Sequence, residues 1–236
     1  MKENKYDDNI FFQKYSQMSR SQQGLAGAGE WETLRKLLPD FKDKRVLDLG
    51  CGYGWHCIYA MEHGASSVVG VDISHKMLEV AKEKTHFPQV EYKCCAIEDV
   101  EFPEESFDVI LSSLAFHYVA DYEILVKKIY RILKSDGKLV FTVEHPVFTA
   151  YGTQDWHYNE KGEILHFPVD NYYYEGKRTA VFLGEKVTKY HRTLTTYLNT
   201  LLSNGFIILS ILLFILYLML LSQTLLKNGI ESSATS

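Results

Sequence analysis

The stretch Arg45-Val-Leu-Asp-Leu-Gly-Cys-Gly-Tyr-Gly-Trp55 constrains this chain more than any other. An apolar run, Val46 to Leu49, ends in glycines at 50, 52 and 54, and a helical pattern starts near Trp55. That order reads as strand, tight turn, helix. Residues without Cβ atoms let backbone N–H groups and a helix N-terminus come close to a ligand, as at the first βα turn of nucleotide-binding α/β sheets. A ribose-bearing ligand is the expectation. The dinucleotide fingerprint G-x-G-x-x-G needs Gly or Ala at 55 for close packing of helix on strand; Trp55 stands there and disfavours a pyrophosphate.

Apolar strands alternate with amphipathic helices after this turn. The helix from about Trp55 to His63 closes on Gly64, a residue suited to the left-handed position past a helix end. Ser67 to Val71 is a buried strand ending in Asp72, and Ser74 caps a helix reaching Lys84, with Met77, Leu78 and Ala81 inward. Val90 to Lys93 is a short strand, and Phe107 to Ser113 is near-continuously apolar, as in a strand buried on both faces. Asp121 caps a helix whose stripe is Leu125, Ile129, Ile132 and Leu133; Ser135-Asp136-Gly137 then turns into a fifth strand, Lys138 to Val143. The alternation predicts a doubly wound, mostly parallel α/β sheet, with ligands beyond the carboxyl ends of its strands. Gly50 to Gly54, Asp72, Cys95 to Glu98, Ser112 to Tyr118 and Glu144 to Pro146 are expected to converge there.

Three segments surround this core of residues 41–146. Residues 1–40 form an N-terminal cover: a short helix between Asn9 and Arg20 carrying Phe11, Phe12 and Tyr15, then an amphipathic helix from Glu30 to Leu38 stopped by Pro39. Residues 147–190, rich in Tyr, Trp and His but weakly periodic, read as a lid insertion after the fifth strand, with antiparallel strands around Val169 to Tyr174 and Thr179 to Leu183. Residues 191–236 hold a helix from Thr193 to Ser203 and an apolar tail. No charge occurs from Thr193 to Leu226, and Phe206 to Leu221 is apolar except for Ser210. A bilayer-spanning helix needs about twenty such residues. Gly205 before Phe206-Ile-Ile-Leu favours a strand from Phe206 to Ile211 in the sheet. Membrane contact through the tail and a frameshifted terminus are the competing readings, and Leu212 to Leu221 is open to helix.

Length, 236 residues, and 46% hydrophobic content suit a single domain. Net charge of -5 with scattered Lys and Arg argues against a nucleic-acid partner. The N-terminus has no apolar signal core, so a reducing, cytoplasmic compartment is expected, with the four cysteines as thiols; none forms the C-x2-C pair of a metal site. Oligomeric state is not legible.

With Asp48 ahead of the glycines and Gly54 one place early, the turn resembles motif I, D-x-G-x-G-x-G, of class I S-adenosylmethionine-dependent methyltransferases. From about Tyr15 to Ile208 the chain is similar to small-molecule enzymes of the ubiquinone/menaquinone-biosynthesis-like group. Tyr15-Ser16, Arg20-Ser21, Glu30-Trp31, Glu144-His145-Pro146, Tyr174-Glu175-Gly176 and Tyr190-His191-Arg192-Thr193 resemble an uncharacterised bacterial subgroup. The resemblance implies S-adenosyl-L-methionine as cofactor and a small-molecule O, N or C acceptor. It implies that Asp48, Gly50, Cys51 and Gly52 form the turn against the methionine part, that Asp72 takes the ribose hydroxyls, and that Ile73 and Ile97 flank the adenine. It further implies that Ser113 and Leu114 run beneath the cofactor; from the residues themselves, Tyr15 is read as part of the cover, and Arg20 suits the methionine carboxylate, or a surface ion pair. Relatives often read Asp-Ala-Glu-Asp-Leu-Pro-Phe where this chain has Ala96-Ile-Glu-Asp-Val-Glu-Phe102. Ala96 removes the first aspartate, so the adenine contact passes to backbone groups or to Glu98. After about Ile208 this chain departs from its relatives, which continue with a strand, a Glu-Pro loop and a final strand.

Methyl transfer from a sulfonium is an in-line displacement with dispersed charge, for which a protein mostly supplies positioning and water exclusion. A base is needed only where the acceptor is protonated; His117, His145 and His191 are the candidates, with packing or hydrogen bonding as the bland reading of each. Arg192 suits an anionic acceptor, or a surface ion pair. A non-catalytic S-adenosylmethionine-binding protein is the alternative function, and an NAD-dependent oxidoreductase is opposed by Trp55.

Overall fold

The computed structural model describes residue 2 and residues 4–151 and 154–212. A 3-10 turn, Lys5–Asp7, leads into α1 (Asn9–Ser16), α2 (Ser19–Gln22) and α3 (Trp31–Leu34). Strands and helices then alternate: β1 (Arg45–Leu49), α4 (Trp55–Glu62), β2 (Ser67–Asp72), α5 (His75–Lys84), β3 (Val90–Cys94), β4 (Phe107–Ser113), α6 (Tyr122–Ile132) and β5 (Leu133–Thr142). Short elements follow: α7 (Pro146–Ala150), β6 (His157–Tyr158), β7 (Ile164–His166), β8 (Gly176–Phe182), β9 (Glu185–His191) and α8 (Leu194–Ser203).

β1 to β5 form one parallel sheet in the order β3-β2-β1-β4-β5. The order reverses between β1 and β4, which opens a crevice at their carboxyl ends. Alternation along the strands feeds two cores. Leu47, Leu49, Val69 and Val71 join Leu125, Ile129 and Ile132 of α6, whereas Val46 and Val68 join Cys57 and Ala60 of α4 and Leu78 of α5. Hydrogen-bonding side chains start the helices where the sequence places them: Ser74 accepts from Met77 N–H, Asp121 from Ile124 N–H and Thr193 from Thr196 N–H.

Four expectations are corrected. The helix from Glu30 to Leu38 is a single turn, α3; beyond it Lys36 N–H bonds Thr33 O and Leu37 N–H bonds Leu34 O, because Trp31 and Leu34 are buried while Leu37 faces solvent. The fifth strand starts at Leu133, not Lys138: Leu133 pairs with Phe107 and Lys138 with Val109, so Ser135-Asp136-Gly137 is an irregularity inside the strand. The hairpin of the insertion is β8–β9: the expected strand around Thr179 to Leu183 is there, as Thr179 to Phe182 of β8, but it pairs with β9 and not with Val169 to Tyr174, which forms no strand. Asn171 adopts φ 58° and Tyr174 N–H bonds its carbonyl, which turns the chain before a strand can form. Leu183 and Gly184, at φ 54° and 78°, make the two-residue turn whose twist suits a hairpin.

The fourth correction concerns Phe206 to Ile211, which joins no strand; the sheet ends at β5. Gly205, at φ 91°, caps α8: its N–H bonds Leu202 O and Phe206 N–H bonds Leu201 O. Phe206 meets the Tyr130 ring edge-on at 5.3 Å, and it packs with Ile208 on the α6 side of the core. Ile207 and Leu209 point to solvent. The glycine signal belongs to the helix end, and the alternation of apolar residues beyond it has no neighbouring strand to satisfy. Most of the Leu212 to Leu221 stretch lies outside the described residues. Among the described residues no helix is long and apolar enough to cross a membrane.

Candidate active site

The glycine turn after β1 is held by Val71 O, which accepts from both Gly50 and Cys51 N–H. Gly50, Gly52 and Gly54 all have positive φ, 81°, 53° and 75°. A Cβ on Gly50 would lie 2.5 Å from that of Ala115, whereas one on Gly52 would meet nothing within 4 Å. The turn therefore packs tightly against the β4 loop on one side and leaves its backbone open on the other.

Asp72, at the tip of β2, ties this turn to the next helix: one oxygen accepts from Gly52 N–H and the other from Ser74 N–H, each at 2.9 Å. Burial raises its pKa, opposed by those N–H bonds. A carboxylate oxygen can accept more than one hydrogen bond, so capacity remains for a diol. Asp48 is different. It is 1% exposed, its Oδ1 has no partner, and Cys57 Sγ lies 3.6 Å from Oδ2. It stands beneath the turn as a support, and burial pushes its carboxyl up to about 7. Cys51 is buried in the turn, and burial raises its thiol too.

Ile73 and Ala96, past the ends of β2 and β3, line an open cleft of about 590 Å³ together with Lys2, Asn4, Asp7, His75 and Asp99. Ile97 Cδ1 approaches the position a Gly50 Cβ would take, at 3.4 Å. Glu98 faces Lys2 at 3.8 Å. Past β4, Ser113 Oγ contacts Glu30 Oε1 at 3.4 Å, and Leu114, at φ 55°, donates its N–H to Thr142 O. Arg20 bonds Glu30 at 2.6 Å; Glu30 is 6% exposed and its second oxygen has no partner. Burial, with the Arg20 charge as the smaller effect, holds His56 of α4 down to about 4.

The N-terminal segment closes over these ends. Tyr15 and Tyr53 rings meet at 5.9 Å, and Tyr6 meets Tyr15 at 5.2 Å while hydrogen-bonding Tyr118 of the β4 loop. Asp7 fastens the segment to α5: it accepts from Ser74 Oγ at 2.6 Å, from Lys76 N–H and His75 N–H, and from Asn4 Nδ2. Burial opposes its ionisation, but those bonds outweigh it and its carboxyl stays below the usual range. Phe11 of α1, fully buried, clusters with Ala180 and Val187 of the β8–β9 hairpin. The N-terminal segment and the β8–β9 hairpin thus share one apolar cluster.

The three histidines are all held at Nδ1. His117, 1% exposed, accepts there from Glu144 N–H at 3.4 Å, and burial draws its pKa down to about 4. His145 accepts from Val147 N–H at 3.1 Å, leaving a buried, unpartnered Nε2. His191, fully buried, has Thr149 Oγ1 at Nδ1 and Tyr172 O at Nε2, each at 2.8 Å, so both ring nitrogens are engaged. Arg192 donates to Val119 O and Ala120 O and lies over the Tyr122 ring. Beside His117, Glu144 bonds Lys189 Nζ at 2.5 Å and Gln154 at 2.9 Å. Tyr6, Asp7, Asn4 and this Glu144–Lys189 pairing escaped sequence reasoning: Tyr6 meets Tyr118, Asp7 meets Ser74, Asn4 meets Ile73 and Glu144 meets Lys189 across 112, 67, 69 and 45 residues, and no local pattern announces them.

Comparison with known proteins gives a consistent result. Residues 47–141 match the family described as a methyltransferase domain. A protein of Listeria monocytogenes described as an S-adenosylmethionine-dependent methyltransferase superposes with a TM-score of 0.75 at 58% identity, over 78% of this chain and 86% of that one. Another from Mesorhizobium loti gives 0.74 at 41% identity, over 79% and 85%. The ubiquinone biosynthesis O-methyltransferase of Neisseria meningitidis is 29% identical over 159 residues, 55% of this chain and 67% of that protein.

Proposed function

This chain belongs to the S-adenosylmethionine-dependent methyltransferases, and from that premise we propose that it methylates a small-molecule acceptor held under the joint cover of α1 and the β8–β9 hairpin. The observation that carries the cofactor site is Asp72 at the β2 tip, bonded to Gly52 N–H beside a turn with open space over Gly52. The residues fit S-adenosyl-L-methionine: an open glycine backbone, a carboxylate for the ribose, and the cleft floored by Ile73 and Ala96 for the base. Bound there, it supplies a sulfonium-activated methyl group. The chain's own work is positioning. Arg20, held by Glu30, serves the methionine carboxylate, and the tyrosines at 6, 15 and 53 keep water out.

Neutral His117 and His145 accept at Nδ1 and therefore carry their hydrogen on Nε2. They offer donors, which orient an acceptor whose lone pair is already free. The cover, whose two parts share the Phe11 cluster, supports a small acceptor, and the net charge of -5 disfavours a nucleic acid.

Calorimetry with S-adenosylhomocysteine tests the cofactor site. Asp72→Ala is expected to weaken binding roughly ten- to hundred-fold, since a hydrogen bond to a charged group contributes about 1.5–3 kcal/mol; equal affinity in a variant with an unchanged melting temperature removes Asp72 from the site. Methyl-labelled cofactor incubated with a metabolite extract then tests the acceptor. Label is expected in the low-molecular-weight fraction, and label confined to macromolecules overturns the small-molecule reading.

A further inference from the structure

We propose that Asn4 accepts the hydrogen bond from the exocyclic amine of the cofactor's adenine, the role left open by Ala96; this rests on the cofactor reading above. Adenine presents a donor, its amine, beside a ring-nitrogen acceptor, so a pocket that recognises it needs a protein acceptor at that edge. Ala96 has none, and with Ile73 it makes an apolar floor.

The side-chain amide of Asn4 is oriented by its own donors. Nδ2 bonds Asp7 Oδ2 at 2.7 Å and Ile73 O at 3.2 Å, two acceptors that the amide oxygen could not face. Oδ1 is consequently turned the other way, buried and without a partner. Asn4 lines the cleft together with Ile73 and Ala96. A buried acceptor left unpaired is unfavourable by about 1–3 kcal/mol, and a ligand N–H at that point recovers it. Of the two carboxylates of the cleft, Asp7 is taken up by Ser74, His75, Lys76 and Asn4, and Asp99 is paired through Oδ1 with Lys2 at 2.6 Å, whereas the Asn4 Oδ1 has no partner.

The N-terminal segment thereby supplies specificity as well as cover. Its Asp7 fastens to α5 and, through the same carboxylate, sets the Asn4 amide. Base recognition is built from a residue 92 positions before Ala96.

The test compares two ligands by calorimetry: S-adenosylhomocysteine and S-inosylhomocysteine, in which a carbonyl oxygen replaces the amine. The wild-type chain is expected to prefer the adenosyl compound roughly ten-fold or more, because the inosyl oxygen faces Oδ1 as a second acceptor. In Asn4→Ala that ratio is expected to fall to within about two-fold, with the inosyl compound bound no more weakly than before. A thermal melt confirms that the variant is folded; Asn4→Gln, which keeps the amide but displaces it, should lower the ratio partway. A preserved ratio in Asn4→Ala overturns the proposal, as does collapse of the ratio in Asp99→Ala or Glu98→Ala instead. Failure of the wild-type chain to bind either compound identifies a different error, in the cofactor reading itself.

Discussion

Asp48 lies two residues before the glycine turn with its carboxyl sealed between β1 and α4, Oδ1 unpartnered and only a thiol near Oδ2. An uncompensated buried carboxylate is unfavourable, and protonation is the escape. Burial accordingly raises its pKa to about 7. In the unfolded chain an aspartate ionises near about 3.9. The folded state therefore holds the extra proton between those values: the contribution of Asp48 to stability is complete below about 3.9, falls as pH rises toward about 7, and is constant beyond. Asp7 and Glu144, whose pKa values end below the usual range, act with the opposite sign and lose stability in acid. Asp48→Asn removes the one titration and leaves the others, so chemical denaturation of both chains from pH 4 to 8 isolates it. The variant is expected to gain on the parent as pH rises, by on the order of a few kcal/mol at pH 8. A difference that does not vary with pH would show that the carboxyl is ionised throughout, with a partner supplied by rearrangement.

At the scale of elements, α1 and the β8–β9 hairpin of the proposed cover are joined by one buried ring and one exposed hydrogen bond. Phe11 has no exposed surface; it meets Tyr6 edge-on at 5.1 Å and Phe182 at 5.8 Å, and Lys14 Nζ adds a bond to Leu183 O. Such a shared apolar contact makes the two elements open together, because either one alone would leave the ring in water. Phe11→Ala removes a fully buried ring, a loss of about 3–5 kcal/mol in a well-packed site. Here it falls on the cover, whose strands carry exposed residues on their outer faces, so the loss appears as local opening. Hydrogen exchange in α1 and in β8–β9 is expected to quicken together while β1 and β4 keep their protection. Acceleration confined to α1 would mean that the hairpin stands on its own contacts, among them Glu144–Lys189 and His191–Thr149.

For the whole molecule, what was legible in the sequence was whatever a short window encodes. β1, β2 and β4 are apolar because both faces are covered, and α5, α6 and α8 announce themselves through Ser74, Asp121 and Thr193; a parallel sheet with a crevice at its strand ends follows from that alternation, whereas the order of the strands does not. Asp7 on Ser74, Lys189 on Glu144 and Phe11 on Phe182 were not legible, since each joins distant segments through side chains that look like ordinary surface or core residues in their own windows. The apolar run after Gly205 misled for the same reason in reverse: β-branched residues after a glycine state that a strand would be tolerated, and pairing depends on a neighbour elsewhere. The structure divides that run. Phe206 and Ile208 pack on Tyr130 and the α6 core, while Ile207, Leu209, Ile211 and Leu212 are exposed. Two shortened chains separate those roles. Ending at Leu212 keeps every core contact of the described residues, and its melting temperature is expected to match the full chain's. Ending at Gly205 exposes the groove under two half-buried side chains, a loss of on the order of 2 kcal/mol by burial. For a domain of this size that lowers the melting temperature by roughly 4–8 °C, with S-adenosylhomocysteine binding retained at low temperature because no residue of the cleft is touched. An insoluble chain ending at Leu212 would show that the fold needs the residues beyond it, and equal melting of both shortened chains would show that Phe206 and Ile208 hold nothing.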